Sequence, residues 1–120
     1  MFIVKLECFP LVSKFDIVKV FFFENKMKQV ITVATKPFDG QKPGTSGLRK
    51  PVSTFQQCHY TENFVQSILD VALDGFNASN VTLVIGGDGR FYSKQVVDSI
   101  VAICAANQVI NTEIKSPIVE

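Results

Sequence analysis

The sequence predicts an α/β fold, in which a mixed or parallel sheet packs against two helices. Two segments with helical spacing of apolar residues, 60–73 and 93–106, alternate with two segments typical of strands, 30–33 and 81–85. Residues 81–85 form a nearly continuous apolar run, as expected for a buried strand of a parallel sheet. The order strand, helix, strand, helix favours parallel pairing through right-handed crossovers.

The amino-terminal residues 1–26 differ in composition from the rest of the chain. They are rich in phenylalanine and contain no glycine. Charges at Lys5, Glu7 and Lys14 interrupt the apolar pattern, so the segment lacks the unbroken apolar run of a signal peptide or a transmembrane helix. We expect these residues to be an atypical apolar extension of the fold, without a membrane role.

The first strand and the loop that follows it occupy residues 30–55. Residues 30–33 are β-branched throughout, which favours a strand, and Pro37, Asp39 and Gly40 end it. A second strand is predicted over residues 48–55, where Pro51 restricts it to an edge or a bulge.

Both predicted helices are amphipathic. In the first helix, Thr61 can cap the start and Glu62 suits the positive end of the helix dipole. After the second helix, Asn107 predicts a left-handed stop, and residues 109–120 are expected to fall short of a complete element. The apolar faces consist of Phe64, Val65, Ile68, Leu69 and Ala72 in the first helix and of Val96, Val97, Ile100, Ile103 and Cys104 in the second.

Composition excludes several classes of function. The 120 residues carry 12 cations and 11 anions, a net charge of +1, which does not indicate a nucleic-acid surface. The three cysteines are far apart and the single histidine, His59, has only Cys58 beside it, so the compact ligand pattern of a zinc site is missing. We expect reduced thiols, no nucleophile pair at Cys58-His59, and a core position for Cys104.

A glycine-rich turn, GGDGR at residues 86–90, follows a predicted strand and precedes a helix. The dinucleotide-binding fingerprint read from Gly87 requires glycine or alanine where Tyr92 stands, so that fingerprint is absent. The spacing of a phosphate loop or a calcium loop is absent as well. The pattern predicts a sharp strand-to-helix turn in which Asp88 bonds local amides.

Residues 41–50, QKPGTSGLRK, concentrate groups that bind anions. The two glycines let backbone amides turn towards one point, and Thr45 and Ser46 add hydroxyl donors. Arg49 offers a planar fork for two phosphate oxygens, while Lys42 and Lys50 supply point charges. The same composition is also typical of a solvated turn with basic neighbours, so both readings stay open on spacing alone.

Three motifs stand in order along the chain: KPGTSGLRK at residues 42–50, FQQCHYTENFVQSI at 55–68 and TLVIGGDGRFY at 82–92. Together they resemble the amino-terminal part of the phosphoglucomutase family, which belongs to the α-D-phosphohexomutases. The resemblance covers about residues 27–108. It implies a partial three-layer α/β domain, incomplete relative to the family's first domain.

The resemblance also implies a function. The family comprises isomerases of carbohydrate metabolism that interconvert glucose 1-phosphate and glucose 6-phosphate through a phosphoserine and glucose 1,6-bisphosphate, with magnesium assisting. By resemblance, Thr45, Ser46 and Arg49 line the active-site cleft, and Arg49 contacts the bisphosphate. Lys42 and Lys50 are further expected phosphate contacts. The implied ligand is a weakly bound phosphohexose or phosphate, and the implied location is the cytoplasm.

The sequence departs from the family outside residues 27–108. Residues 1–26 have no counterpart in the family, and residues 109–120 read as a divergent tail. Ser116 is followed by Pro117-Ile118, whereas the family's phosphoserine loop reads T-A-S-H-N-P, and the aspartate-rich magnesium loop is missing. We therefore expect no catalytic residue, no bound magnesium or glucose 1,6-bisphosphate, and no turnover by this chain alone.

Two alternatives to an enzyme fragment follow from the same residues. One is a non-catalytic module that binds phosphate or docks on another subunit, with self-association through exposed sheet edges. The other is a truncated gene product without a role.

Overall fold

The computed structural model describes residues 17–24, 27–109 and 111–115. It confirms the expected α/β class. The strands are β1 (Ile17–Glu24), β2 (Met27–Ala34), β3 (Thr82–Gly86) and β4 (Asn111–Lys115). The helices are α1 (Val52–Phe55), α2 (Tyr60–Ala72) and α3 (Ser93–Ala106), and a short 3₁₀ turn occupies Ala78–Asn80.

β3 and β4 pair in parallel and are joined by α3. Thr82 lies opposite Asn111, and Gly86 lies opposite Lys115. Parallel pairing is therefore present, as expected for the fold class, but not between the two strands from which it was predicted. Among the described residues, the strand at 30–33 lies in a sheet with β1 and the strand at 81–85 lies in a separate sheet with β4. The pairing of β3 with β4 also shows that the expectation of no complete element in residues 109–120 was wrong. The β4 sequence, NTEIK, has little apolar pattern of its own, and it becomes a strand because β3 offers its backbone N–H and C=O groups as partners.

β1 and β2 form an antiparallel hairpin, with Ile17 opposite Ala34 and Glu24 opposite Met27. β2 includes the strand predicted over residues 30–33. β1 contacts both α3 and α2, so part of the amino-terminal extension packs on the helices. The boundary expected between residues 26 and 27 therefore falls within the hairpin, and residues 1–16 lie outside the described residues.

Residues 48–55 do not form the second strand that the alternation predicts. The chain makes a single helical turn, α1, whose N-cap residue is Pro51 with φ −54° and ψ 149°. The N–H of Thr54 bonds the carbonyl of Pro51 at 3.0 Å, and the N–H of Gln56 bonds the carbonyl of Val52 at 3.0 Å. Proline presets a φ that suits the start of a helix, so local bonds satisfy this backbone in place of a partner strand.

The two long helices begin where the periodicity predicts, but two predicted caps are wrong. Thr61 is not the cap of α2, because the N-cap residue is His59 at φ 62°, and the hydroxyl of Thr61 donates to the carbonyl of Phe55 at 3.1 Å. The left-handed residue after α3 is Gln108 at φ 65°, one residue beyond Asn107.

α3 ends in a Schellman arrangement. The N–H of Gln108 bonds the carbonyl of Ala105 at 3.2 Å, and the N–H of Val109 bonds the carbonyl of Cys104 at 2.9 Å. Val109 is 2% exposed and packs in the same cluster as Cys104, which supplies the apolar contact that accompanies this motif. The chain is thereby directed from α3 into β4.

The hydrophobic core lies where α2, α3 and β3 meet. Ile103 and Cys104 are fully buried, which confirms the predicted inner face of α3 and the core position of the thiol. Burial of an aliphatic side chain such as that of Ile103 contributes about 1.5–3 kcal/mol to stability. The core cluster consists of Val65, Leu69, Ile85, Val96, Ile100, Ile103, Cys104 and Val109.

The helices of the described part of the chain are all too short or too polar to span a membrane.

Candidate functional site

The tip of the predicted anion loop is a tight turn closed by its two glycines. The N–H of Gly44 bonds the carbonyl of Gly47 at 3.1 Å, and the N–H of Gly47 bonds the carbonyl of Gly44 at 3.0 Å. Gly47 has φ 89°, a left-handed conformation that side chains rarely adopt. The two residues between the glycines, Thr45 and Ser46, are both exposed. Their hydroxyls are therefore free to meet a ligand.

The base of this loop is tied to the start of α2 by a network of amide groups. The side-chain Nε2 of Gln41 donates to the carbonyl of Tyr60 at 2.7 Å. The Nδ2 of Asn63 donates to the Oε1 of Gln41 at 3.0 Å, and the hydroxyl of Thr35 donates to the Oδ1 of Asn63 at 2.9 Å. Asn63 is 3% exposed. The network fixes where the loop leaves β2 and how it approaches α2.

Aromatic packing supports the same anchor. The rings of Phe38 and Phe55 meet the ring of Tyr60 edge to face, with centroids 5.0 Å and 5.7 Å away. Phe38 precedes the loop and Phe55 follows it, so both ends of residues 41–50 are held against one buried tyrosine.

The loop forms one wall of an open cleft of about 430 Å³. Ser46, Arg49 and Lys50 line this wall. The opposite wall comes from the glycine-rich turn and the start of α3, through Asp88, Arg90 and Tyr92 to Ser93. The apolar lining consists of Leu48, Val52, Phe55, Phe91 and Val96. Two segments about forty residues apart in sequence thus face each other.

The other two predicted contacts lie elsewhere. Thr45 and Lys42 are exposed and are not among the residues that line the cleft. Thr45 shares the turn tip with Ser46, and Lys42 precedes the turn. The structure therefore brings together Ser46, Arg49 and Lys50 and leaves Thr45 and Lys42 at the margin.

The cleft is electropositive. Its lining includes three cationic side chains, those of Arg49, Lys50 and Arg90, and one carboxylate, that of Asp88. Asp88 Oδ2 lies 3.1 Å from Arg90 Nε, and Asp88 Oδ1 accepts the backbone N–H of Arg90 at 3.3 Å. The second contact confirms that this aspartate bonds a local amide. The Arg90 side chain remains 78% exposed, so its other nitrogens can reach a ligand.

Arg90 and Ser93 line the cleft, but the sequence analysis did not predict them as site residues. A signal for them was present, because the turn follows the carboxyl end of β3. In open α/β sheets, ligands bind beyond the carboxyl ends of the strands. The missing dinucleotide fingerprint argues against a dinucleotide ligand at this turn. It does not argue against other ligands at the carboxyl end of β3.

The remaining candidate residues do not form a second site. Cys58 is exposed and Cys104 is buried, and both are free thiols. Burial raises the pKa of Cys104 from 9.0 to about 11, which keeps this thiol neutral and unreactive. Among the residues that the structure describes, no three His, Cys, Asp or Glu side chains cluster in a way that could hold a metal ion.

The sequence matches a family model described as phosphoglucomutase/phosphomannomutase, alpha/beta/alpha domain I, over residues 40–119. This segment begins later than the expected residue 27, and it includes most of the tail that was expected to be divergent. β4 lies within the match, in agreement with its place in the parallel pair.

Curated proteins give a similar result. The chain is 60% identical over 77 residues to Phosphoglucomutase 1 of Drosophila melanogaster, a match that covers 64% of this chain and 13% of the relative. It is 57% identical over 81 residues to the cytoplasmic phosphoglucomutase of Mesembryanthemum crystallinum, covering 68% of this chain and 14% of the relative. A Rhizobium radiobacter phosphoglucomutase is 55% identical over 75 residues, covering 62% of this chain and 13% of the relative.

The matched segment thus spans about one seventh of the length of these relatives. No solved structure matches the chain. Because the family model covers two thirds of the sequence and the curated relatives are more than half identical over the same segment, the chain belongs to the phosphoglucomutase/phosphomannomutase family and corresponds to part of its α/β/α domain I.

Proposed function

We propose that the cleft binds the phosphoryl oxygens of a phosphohexose, as one part of an active site that interconverts glucose 1-phosphate and glucose 6-phosphate. The main support for the proposal is that the QKPGTSGLRK loop and the GGDGR turn line the same electropositive cleft. The relatives support the choice of substrate, since each of the three cited above is named a phosphoglucomutase.

The chemistry of the wall suits this ligand. Arg49 presents a planar guanidinium that can bond two oxygens of one phosphoryl group, and Lys50 adds a compact charge beside it. The hydroxyl of Ser46 can donate to a third oxygen. Phosphoryl transfer depends mainly on positioning the phosphoryl group and on neutralising its charge, and the side chains of the loop wall can do both.

We further propose that the 120-residue chain does not catalyse the reaction by itself. Its sequence contains no T-A-S-H-N-P motif, so no phosphoserine is assigned. The described residues hold no cluster of metal-binding side chains, so they do not fit the magnesium site that the family implies. A cytoplasmic location is proposed from the names of the relatives, two of which are called cytoplasmic.

The binding claim is tested by titrating the isotope-labelled chain with inorganic phosphate and following its amide NMR signals. We expect shifts at residues 44–49 that saturate at millimolar phosphate and disappear in Arg49→Ala. Lys36→Ala is the matched control, because Lys36 is an exposed cation outside the cleft lining and its loss should leave the titration unchanged. Absence of shifts in the loop at millimolar phosphate would contradict the proposal.

The claim about turnover has a separate test. The purified chain is incubated with glucose 1-phosphate, glucose 1,6-bisphosphate and magnesium, and formation of glucose 6-phosphate is followed with a coupled dehydrogenase. No product is expected above a blank without protein. Turnover that Arg49→Ala removes would show that the chain is competent alone and would refute this part of the proposal.

A further inference from the structure

We propose that the amino terminus of α3 forms a second phosphoryl-binding subsite in the same cleft, opposite the loop wall, through the hydroxyl of Ser93, the guanidinium of Arg90 and the first free backbone N–H groups of the helix. This inference rests on the proposed function, because it adds a second wall to the same phosphate cleft. The ligand class is a phosphate oxyanion, either free or as a phosphomonoester.

Ser93 is the first indication of this subsite. It is 8% exposed and it lines the cleft. Its hydroxyl has no hydrogen-bond partner among the residues that the structure describes. Among the described residues, the buried side-chain oxygen that lacks a partner is that of Tyr60, so the hydroxyl of Ser93 is not sealed from solvent at the cleft wall. A hydroxyl held at the cleft wall without a partner is therefore available to a ligand.

The start of α3 provides further donors. The N–H of Ser93 bonds the carbonyl of Arg90 at 3.1 Å, and the N–H of Val96 bonds the carbonyl of Tyr92 at 3.2 Å. The N-cap residue, Tyr92, makes no side-chain cap. Between these bonds, the backbone N–H groups of Lys94 and Gln95 have no acceptor in the described part of the chain. A helix of 14 residues with open N–H groups at its positive end attracts an anion.

Arg90 places a positive charge at the same end of the helix. In the structure its Nε lies 3.1 Å from Asp88 Oδ2, and both side chains line the cleft. A bound phosphate would share the guanidinium with this carboxylate, and the carboxylate would also repel it. Replacing Asp88 by asparagine removes the repulsion and retains an acceptor for the backbone N–H of Arg90, so Asp88→Asn should bind phosphate more tightly.

Groups that can bind phosphate lie on both walls of the cleft. Ser46, Arg49 and Lys50 approach from the loop, whereas Arg90 and Ser93 approach from the helix.

The test uses inorganic phosphate with the isotope-labelled 120-residue chain, at constant ionic strength maintained with chloride. We expect phosphate to shift the amide signals of Lys94 and Gln95 along with those of residues 44–49. Ser93→Ala should raise the Kd for phosphate about tenfold, the effect of losing one hydrogen bond to a charged group. Arg90→Gln should raise it at least about threefold, and Asp88→Asn should lower it by a similar factor.

Two matched controls separate binding from folding. Ser99→Ala removes a hydroxyl further along α3, outside the cleft lining, and Lys36→Ala removes an exposed cation that is also outside the lining. Both should leave the Kd within about twofold of the unmodified chain. Because the hydroxyl of Ser93 bonds no described group, Ser93→Ala should also unfold at the same urea concentration as the unmodified chain.

The outcomes distinguish this inference from the proposed function. One outcome is that the loop shifts vanish in Arg49→Ala while the Kd for phosphate is unchanged in Ser93→Ala and Arg90→Gln. This result would overturn the second subsite and leave phosphate binding by the loop intact. Shifts confined to Lys94 and Gln95 that Ser93→Ala weakens would support the subsite and contradict the assignment of the loop. If phosphate shifted neither the amide signals of residues 44–49 nor those of Lys94 and Gln95, both proposals would be refuted.

Discussion

Asn63 connects the fold to the candidate site, and its replacement by alanine is a direct test of how the loop is positioned. Its carboxamide accepts a hydrogen bond from Thr35 at 2.9 Å and donates one to Gln41 at 3.0 Å. Gln41 in turn donates to the carbonyl of Tyr60 at 2.7 Å. Asn63→Ala removes both bonds and leaves a hydroxyl and an amide oxygen without these partners.

The magnitude follows from burial. Asn63 is 3% exposed, while the two groups that it bonds are partly buried. A fully buried unsatisfied group costs about 1–3 kcal/mol, and a partly solvated one costs less because water can replace the lost partner. We therefore expect Asn63→Ala to lower the free energy of unfolding by about 2 kcal/mol. This loss is a large part of the 5–15 kcal/mol of a typical small domain.

Urea unfolding followed by circular dichroism measures this change. Asn80→Ala is the control, since Asn80 is exposed and its side chain makes no described bond, and it should stay within about 0.5 kcal/mol of the unmodified chain. The double variant with Gln41→Ala should lose less stability than the sum of the two single variants, by about 0.5 kcal/mol or more, because the two amides act as a unit. A loss below about 0.5 kcal/mol in Asn63→Ala would refute the reasoning.

Two further predictions concern stability and thiol chemistry. Gln108→Gly should stabilise the chain by about 0.5–1 kcal/mol in urea unfolding, because Gln108 sits at φ 65° and glycine adopts this conformation without steric strain; a variant no more stable than the parent would contradict this. In the folded chain at mildly alkaline pH, iodoacetamide should alkylate the exposed Cys58 and spare the buried Cys104, as read by mass spectrometry of peptides; equal modification of both would show that burial does not protect the core thiol. The pKa of Cys104 is raised to about 11 on folding, so the stabilisation from its neutral form is complete below pH 9.0 and decreases as the pH rises towards 11. Cys104→Ala should therefore lose stability less steeply than the parent over this range, and parallel losses would argue against the raised pKa.

Several features were accessible from local pattern alone. The apolar stripes predicted α2 and α3 to within a residue at their starts, because helical periodicity is a property of a short segment. The apolar run at residues 81–85 predicted β3 for the same reason. Glycine, hydroxyl and cation chemistry made residues 41–50 a candidate anion loop but left a solvated turn equally open, and the match to the family agrees with the resemblance of the motifs.

The errors have a common physical origin. β4 was missed because a short polar strand acquires its structure from the neighbouring β3, and this pairing is non-local. The strand predicted over residues 48–55 was wrong because Pro51 begins a local helical turn. The stop after α3 was misplaced by one residue because glutamine rarely adopts the left-handed conformation, yet here the Schellman bonds and the burial of Val109 hold Gln108 in it.

The sequence by itself predicted the two long helices, the strand β3 and the family to which the chain belongs, and it made the QKPGTSGLRK loop a candidate anion site. The tertiary structure alone decided that Arg90 and Ser93 stand across a cleft from Ser46 and Arg49. The reason is that α2 and α3 must pack together over β3 before residues so distant along the chain become neighbours, and no local pattern encodes that distance.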